Sequence, residues 1–82
     1  MFSVYILYSA MLDRFYIGQT SNVDERIARH NRDGNKFTSK GQPWFLVYSE
    51  KFPTKELAIQ RERQIKNWKS KKMILQLINK AR

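Results

Sequence analysis

The sequence predicts an α+β domain, a three-stranded antiparallel sheet flanked by about three helices, on three observations. Two runs rich in Tyr, Ile, Val and Phe, residues 2–9 and 15–19, are joined through the polar or turn-compatible stretch Ser9 to Arg14, as in a β-hairpin. A third such run, Trp44-Phe45-Leu46-Val47-Tyr48, follows a polar, glycine-containing stretch. Between and after the runs lie segments with helix-capping residues and helical apolar spacing. Asn22-Val23-Asp24-Glu25 is the capping-box pattern with Asn as the cap, and a helix from about residue 23 to residue 32 follows, stopped by Asp33-Gly34-Asn35. Pro53-Thr54 opens a second helix, and Lys55 to Lys69 contains no Gly or Pro. Ser70-Lys71-Lys72 begins a third, with Met73, Ile74 or Leu75, Leu77 and Ile78 expected on its buried side.

Eighty-two residues allow one domain, expected over residues 1–82, and no repeat or linker divides them. A chain this short buries only about 60–65% of its unfolded surface, so the core must be small. Cysteine is absent, which excludes disulfides, thiolate metal sites and a thiol nucleophile. No apolar run approaches the ~18 residues of a membrane span, and no basic segment precedes an apolar one at the N-terminus. A soluble, cytoplasmic protein without a membrane partner is expected. Sixteen Lys and Arg against seven Asp and Glu give a net charge of +9, which favours a polyanionic partner. Nucleic acid is the first candidate and an anionic membrane surface the second.

Helical arithmetic separates chemistry from packing. At ~100° per residue from Val23, Ile27 lies ~40° to one side, with His30 and Arg26 ~20° and ~60° to the other. Arg26 and His30 therefore share the face that carries the apolar anchors. On the second helix Ala58 and Ile65 are ~20° apart, and Glu62 lies ~40° beyond Ala58, at the edge of the apolar stripe. Arg61 lies beside Leu57 and Trp68 on the helix, where packing explains it only if its stem lies along the ring. If both helices pack on one sheet, Arg26, His30 and Glu62 can meet Tyr5 and Tyr16. Such a set suits phosphodiester hydrolysis. A carboxylate can hold a divalent cation, a guanidinium can neutralise phosphate oxygens, and tyrosine or histidine can orient or deprotonate water.

Ser3-Val4-Tyr5 followed by Tyr16-Ile17-Gly18 resembles the paired signature of the GIY-YIG nuclease family. Its small stand-alone bacterial branch is similar over nearly the whole chain. Asn22 to Asn31, Phe37-Thr38, Pro43-Trp44, Leu46-Val47-Tyr48, and Ala58 through Glu62 to Lys66 and Trp68 carry the resemblance further. It is the order and spacing of these pieces that is specific. The resemblance implies an endonuclease site like that of the N-terminal incision domain of the bacterial excinuclease. Tyr5 and Tyr16 would be the site tyrosines, Arg26 would bind the scissile phosphate, and His30 would assist proton transfer or hold a tyrosine. Glu62 would bind one Mg2+ or Mn2+ ion, and Gly18 would permit close backbone approach to the substrate. Gln19, Lys36, Thr38 and Lys40 are expected to contact substrate. The chain departs from the pattern at Ser3, where the family has glycine, and at Gln19, where several relatives carry lysine.

Other readings of the same residues stay open at this point. Arg26 could cover Ile27 with its stem, Glu62 could pair with Lys66 at i+4, and Trp44 and Trp68 could be core residues. The expectation is a metal-dependent DNA endonuclease directed by substrate structure rather than sequence, with RNA still open as a substrate. A second copy of the chain or a recruiting protein would help to choose the target. The alternatives are a nucleic-acid-binding module without turnover and a protein-interaction domain whose basic charge is incidental.

Overall fold

The computed structural model of the chain describes residues 1–32 and 40–81. In chain order the elements are β1 (Phe2–Ser9), β2 (Arg14–Thr20), α1 (Val23–Arg32), β3 (Trp44–Phe52), α2 (Lys55–Trp68) and α3 (Lys71–Lys80). The strands form one antiparallel sheet in the order β2-β1-β3, so the fold class is the one that the sequence predicts. None of the described helices is long and apolar enough to cross a membrane.

Strand alternation gives the sheet two different faces. On one, Val4, Ile6 and Ile17 meet Ala58 and Ile65 of α2 and Ile74 and Ile78 of α3 in the larger apolar core. On the other, Tyr5, Leu7 and Trp44 form a smaller cluster with Leu12, Tyr16 and Ile27 of α1. Each fully buried aliphatic side chain contributes about 1.5–3 kcal/mol. The helices therefore lie on opposite faces, α1 on one and α2 with α3 on the other.

The hairpin is tighter than the Ser9 to Arg14 connection expected from composition, because Ser9 and Arg14 already face each other in the ladder. Asp13 closes the turn with φ of 51°, a left-handed conformation that Asp tolerates better than most residues. Its carboxylate accepts a hydrogen bond from the Tyr8 hydroxyl at 2.7 Å and also binds the Lys71 ammonium of α3.

Strand β3 runs on to Phe52, past the Tyr48 end expected from its apolar run. Its polar second half continues the ladder, with Glu50 opposite Val4 and Phe52 opposite Phe2. Glu50 accepts from the Tyr48 hydroxyl and, at 3.1 Å, from Nε of Arg61, whose guanidinium carbon lies 5.7 Å from the centre of the Trp68 ring. Arg61, puzzling on spacing alone, thus ties α2 to the outer strand and stacks on the helix's own tryptophan.

Thr54 and Ser70 cap α2 and α3, their hydroxyls accepting the N–H groups of Leu57 and Met73 at 3.3 and 3.2 Å. On α3 only the Ile74, Leu77 and Ile78 stripe turns inward. Of the alternatives Ile74 and Leu75 it is Ile74 that is buried, Leu75 being 43% exposed, and Met73, expected to be buried, is 41% exposed, because a ten-residue helix lying on one face presents a single i, i+3, i+4 stripe to it.

Candidate active site

Helix α1 is fixed at both ends. At its start the Asn22 Oδ1 accepts the N–H of Glu25 at 3.1 Å. At its end the Asn31 amide grips the backbone of Trp44, accepting its N–H at 2.6 Å and donating to its carbonyl at 3.0 Å. Gln42 donates to the His30 carbonyl at 2.9 Å. Asn31 and Gln42 are positioning residues that sequence reasoning missed, since a polar residue at a helix end or in a loop carries no signal of its partner. Trp44, 1% exposed, is a core residue. Beneath it Gly41 leaves no room for a side chain, because a Cβ there would come within 2.5 Å of the indole.

This anchoring places His30, 7% exposed, against both site tyrosines. Its ring centre is 4.5 Å from that of Tyr16 and 6.2 Å from that of Tyr5, and the two phenol rings stack with centres 6.3 Å apart. The Tyr5 hydroxyl lies 3.4 Å from His30 Nε2. Gly18 lies directly opposite Tyr5 in the ladder. A Cβ on it would come within 2.5 Å of the Tyr5 hydroxyl and 2.7 Å of the ring, so its missing side chain makes room for the phenol.

Arg26 sits half-buried one helical turn before His30. Its guanidinium makes no hydrogen bond or ion pair among the described residues, although its charge bears on both Tyr5 and His30. A half-buried cation without a carboxylate is costly unless an anion joins it. Glu62 belongs to α2, on the far face of the sheet, yet its charge also reaches the Tyr5 phenol. Glu62 Oε2 accepts from Lys66 Nζ at 2.7 Å, leaving Oε1 without a partner among the described residues.

The surroundings set the protonation states. Burial, then neighbouring Tyr16 and Glu62, push the Tyr5 phenol well above its ordinary value, against the opposing pull of Arg26. Tyr5 is therefore a protonated hydroxyl at neutral pH. Burial, then the charges of Arg26 and Arg29, lower the pKa of His30, which leaves a neutral imidazole able to accept a proton.

The remaining expected contacts are scattered. Gln19 alternates to the α2 face and makes no side-chain hydrogen bond to the site among the described residues. Lys40 is exposed in the turn before Gly41, and Lys36 and Thr38 lie outside the described residues.

Among the described residues no three His, Asp or Glu side chains converge, so the protein offers a cation no cage. The Glu62 carboxylate oxygen that has no partner among the described residues does fit a largely hydrated Mg2+ or Mn2+, which commonly takes one or two carboxylates and completes its shell with water and substrate phosphate.

Comparisons with known proteins bear on the family and the fold. The description of the GIY-YIG catalytic domain matches residues 1–76. A UPF0213 protein of Natronomonas pharaonis is 42% identical over 65 residues, spanning 78% of this chain and 75% of that one. A UPF0213 protein of Staphylococcus aureus is 38% identical over 60 residues, spanning 72% and 73%. The solution NMR structure of a UPF0213 protein from Bacillus halodurans superposes with a TM-score of 0.61 at 36% identity, covering 96% of this chain and 84% of that one. With the family's domain matched over nearly its whole length, the chain belongs to the GIY-YIG family, a nuclease family whose substrates are nucleic acids.

Proposed function

We propose that this chain is a divalent-metal-dependent endonuclease that hydrolyses DNA phosphodiester bonds and selects substrate by structure. The observation that carries the reading is the half-buried Arg26 guanidinium, unpaired among the described residues, beside a neutral His30 and the stacked phenols of Tyr5 and Tyr16. Arg26 binds the scissile phosphate and neutralises the charge that grows on its oxygens. His30 accepts the proton of the attacking water, directly or through Tyr16. Tyr5, held protonated, orients that water or the phosphate by hydrogen bonding rather than acting as the base. Glu62 holds one Mg2+ or Mn2+, which when bound polarises the phosphate and stabilises the leaving oxygen. The groups lining the site address phosphate, and phosphate contacts position a protein without reading sequence. That favours selection by structure over selection by sequence.

The ion pair between Lys66 and Glu62 favours one second reading, a nucleic-acid-binding module in which the lysine has taken the cation's place. Incubating the protein with linear, nicked, flapped and branched DNAs in Mn2+, Mg2+ or EDTA separates the two. Metal-dependent nicking concentrated on the non-linear DNAs is expected. Equal cutting of every duplex would remove structure selection, and binding without cleavage under any metal would favour the module.

A further inference from the structure

Helix α1 carries a second guanidinium beside the one at the reacting centre. Arg29 lies three residues beyond Arg26, an i,i+3 pair whose Cβ atoms are about 5–6 Å apart on neighbouring rows of the helix. Both arginines line one small cleft of about 150 Å3, completed by Thr20, Ser21, Asn22 and Glu25. The cleft is outside the Tyr5, Tyr16 and His30 cluster yet shares Arg26 with it. The charge of Arg29 also reaches the centre, since it helps to hold His30 neutral.

The partner of Arg29 is weak. Its guanidinium is 3.7 Å from the Glu25 carboxylate one turn back, with the two side chains 56% and 66% exposed. Pairs this exposed add little stability, because water screens them and two long side chains must be held in one geometry, so an incoming anion can displace Glu25. Thr20 is already occupied, its hydroxyl accepting the Asn22 N–H at 3.1 Å and donating to the Asn22 carbonyl at 3.3 Å. The positive charge that draws an anion into the cleft comes from its two guanidinium groups.

We propose that this cleft is a flanking-phosphate subsite, in which Arg29 exchanges Glu25 for the phosphodiester adjacent to the one held by Arg26. The proposal rests on the nuclease reading and deepens it. The arginine pair tracks two successive phosphates of one strand, so the substrate strand is aligned along α1 before it is cut. Glu25 is the competing anion that keeps the cleft closed to weaker ligands.

The test is DNA binding in EDTA, where no cutting occurs, measured across a salt series with a single-stranded oligonucleotide and a duplex. Each phosphate contact contributes about 0.7 to the salt slope for a single strand and about 0.9 for B-DNA. Arg29→Ala is expected to lower the slope by about one contact and to weaken binding about three- to tenfold. Arg29→Lys should restore the slope, Glu25→Gln should tighten binding, and Lys80→Ala, on α3, should change neither. Should Arg29→Ala not fold, the comparison of Arg29→Gln with Arg29→Lys makes the same test. An unchanged slope in Arg29→Ala or Arg29→Gln, or weaker binding in Glu25→Gln, overturns the subsite even if the wild type nicks DNA. A wild type that cuts nothing, with the slope falling as expected, overturns the nuclease reading and leaves the subsite standing.

Discussion

The Tyr5 hydroxyl lies within 2.5 Å of the point where a Cβ on Gly18 would be, so the phenol occupies the space of the side chain that its ladder partner lacks. Tyr5 is wedged there by Tyr16 and His30, with ring centres 6.3 and 6.2 Å away, and cannot swing aside freely. Gly18→Ala is therefore expected to destabilise the fold by about 1–3 kcal/mol through overpacking. Denaturant unfolding checks this. Adding Tyr5→Phe should recover part of the loss by removing the nearest atom, and an unaltered midpoint in Gly18→Ala would contradict the contact.

Stability should depend on pH through His30. The folded protein holds it neutral with a lowered pKa, whereas in the unfolded chain it titrates near 6.5. Below 6.5 the unfolded state thus binds the extra proton first, and His30's contribution, present in full above that pH, is lost as pH falls through the folded pKa. Unfolding midpoints measured between pH 5 and 8 should fall on the acid side for the wild type and fall less for His30→Gln. Equal pH dependence in the two proteins would refute the neutral imidazole.

The Asn31 amide makes both bonds to Trp44 through one side chain, and it fixes the end of the helix that carries His30. Asn31→Ala leaves the Trp44 N–H and carbonyl without this partner and is expected to cost about 1–3 kcal/mol. Asn31→Asp keeps the acceptor but loses the donor, so its unfolding midpoint should lie between those of the wild type and Asn31→Ala. Under the proposed function both variants should lower kcat more than they raise KM.

Arg61 tests the outer strand. Burial, then the bond to Glu50, push the Tyr48 phenol up to about 12, while Arg61 acts the other way by attracting its charged form. Removing the guanidinium leaves the Glu50 carboxylate three-quarters buried with Tyr48 alone. Arg61→Ala should lower stability by about 1–3 kcal/mol in urea titrations. Arg61→Lys should not restore it, since an ammonium cannot both reach Glu50 through Nε and lie flat on Trp68.

What the sequence made legible was whatever leaves a local trace. Alternating aromatic and β-branched runs marked the strands, the Asn22, Thr54 and Ser70 caps marked the helix starts, and helical arithmetic placed Arg26 and His30 on one face. Contacts made at long range left no such trace. Glu62 belongs to the helix on the opposite face of the sheet, and its electrostatic effect on Tyr5 exists only once these elements are packed together. Asn31 meets Trp44 from 13 positions away in the sequence, and Glu50 prolongs β3 because Tyr48 and Arg61 satisfy it. Gly18 announced a close approach, but only the ladder register identified the partner as Tyr5.

The central claim is that Glu62 holds the cation at a site whose DNA contacts are made by other residues. Wild type and Glu62→Gln should bind one branched DNA with similar affinity in EDTA, and with Mn2+ added only the wild type should nick it. Undiminished nicking by Glu62→Gln in Mn2+ would contradict the account.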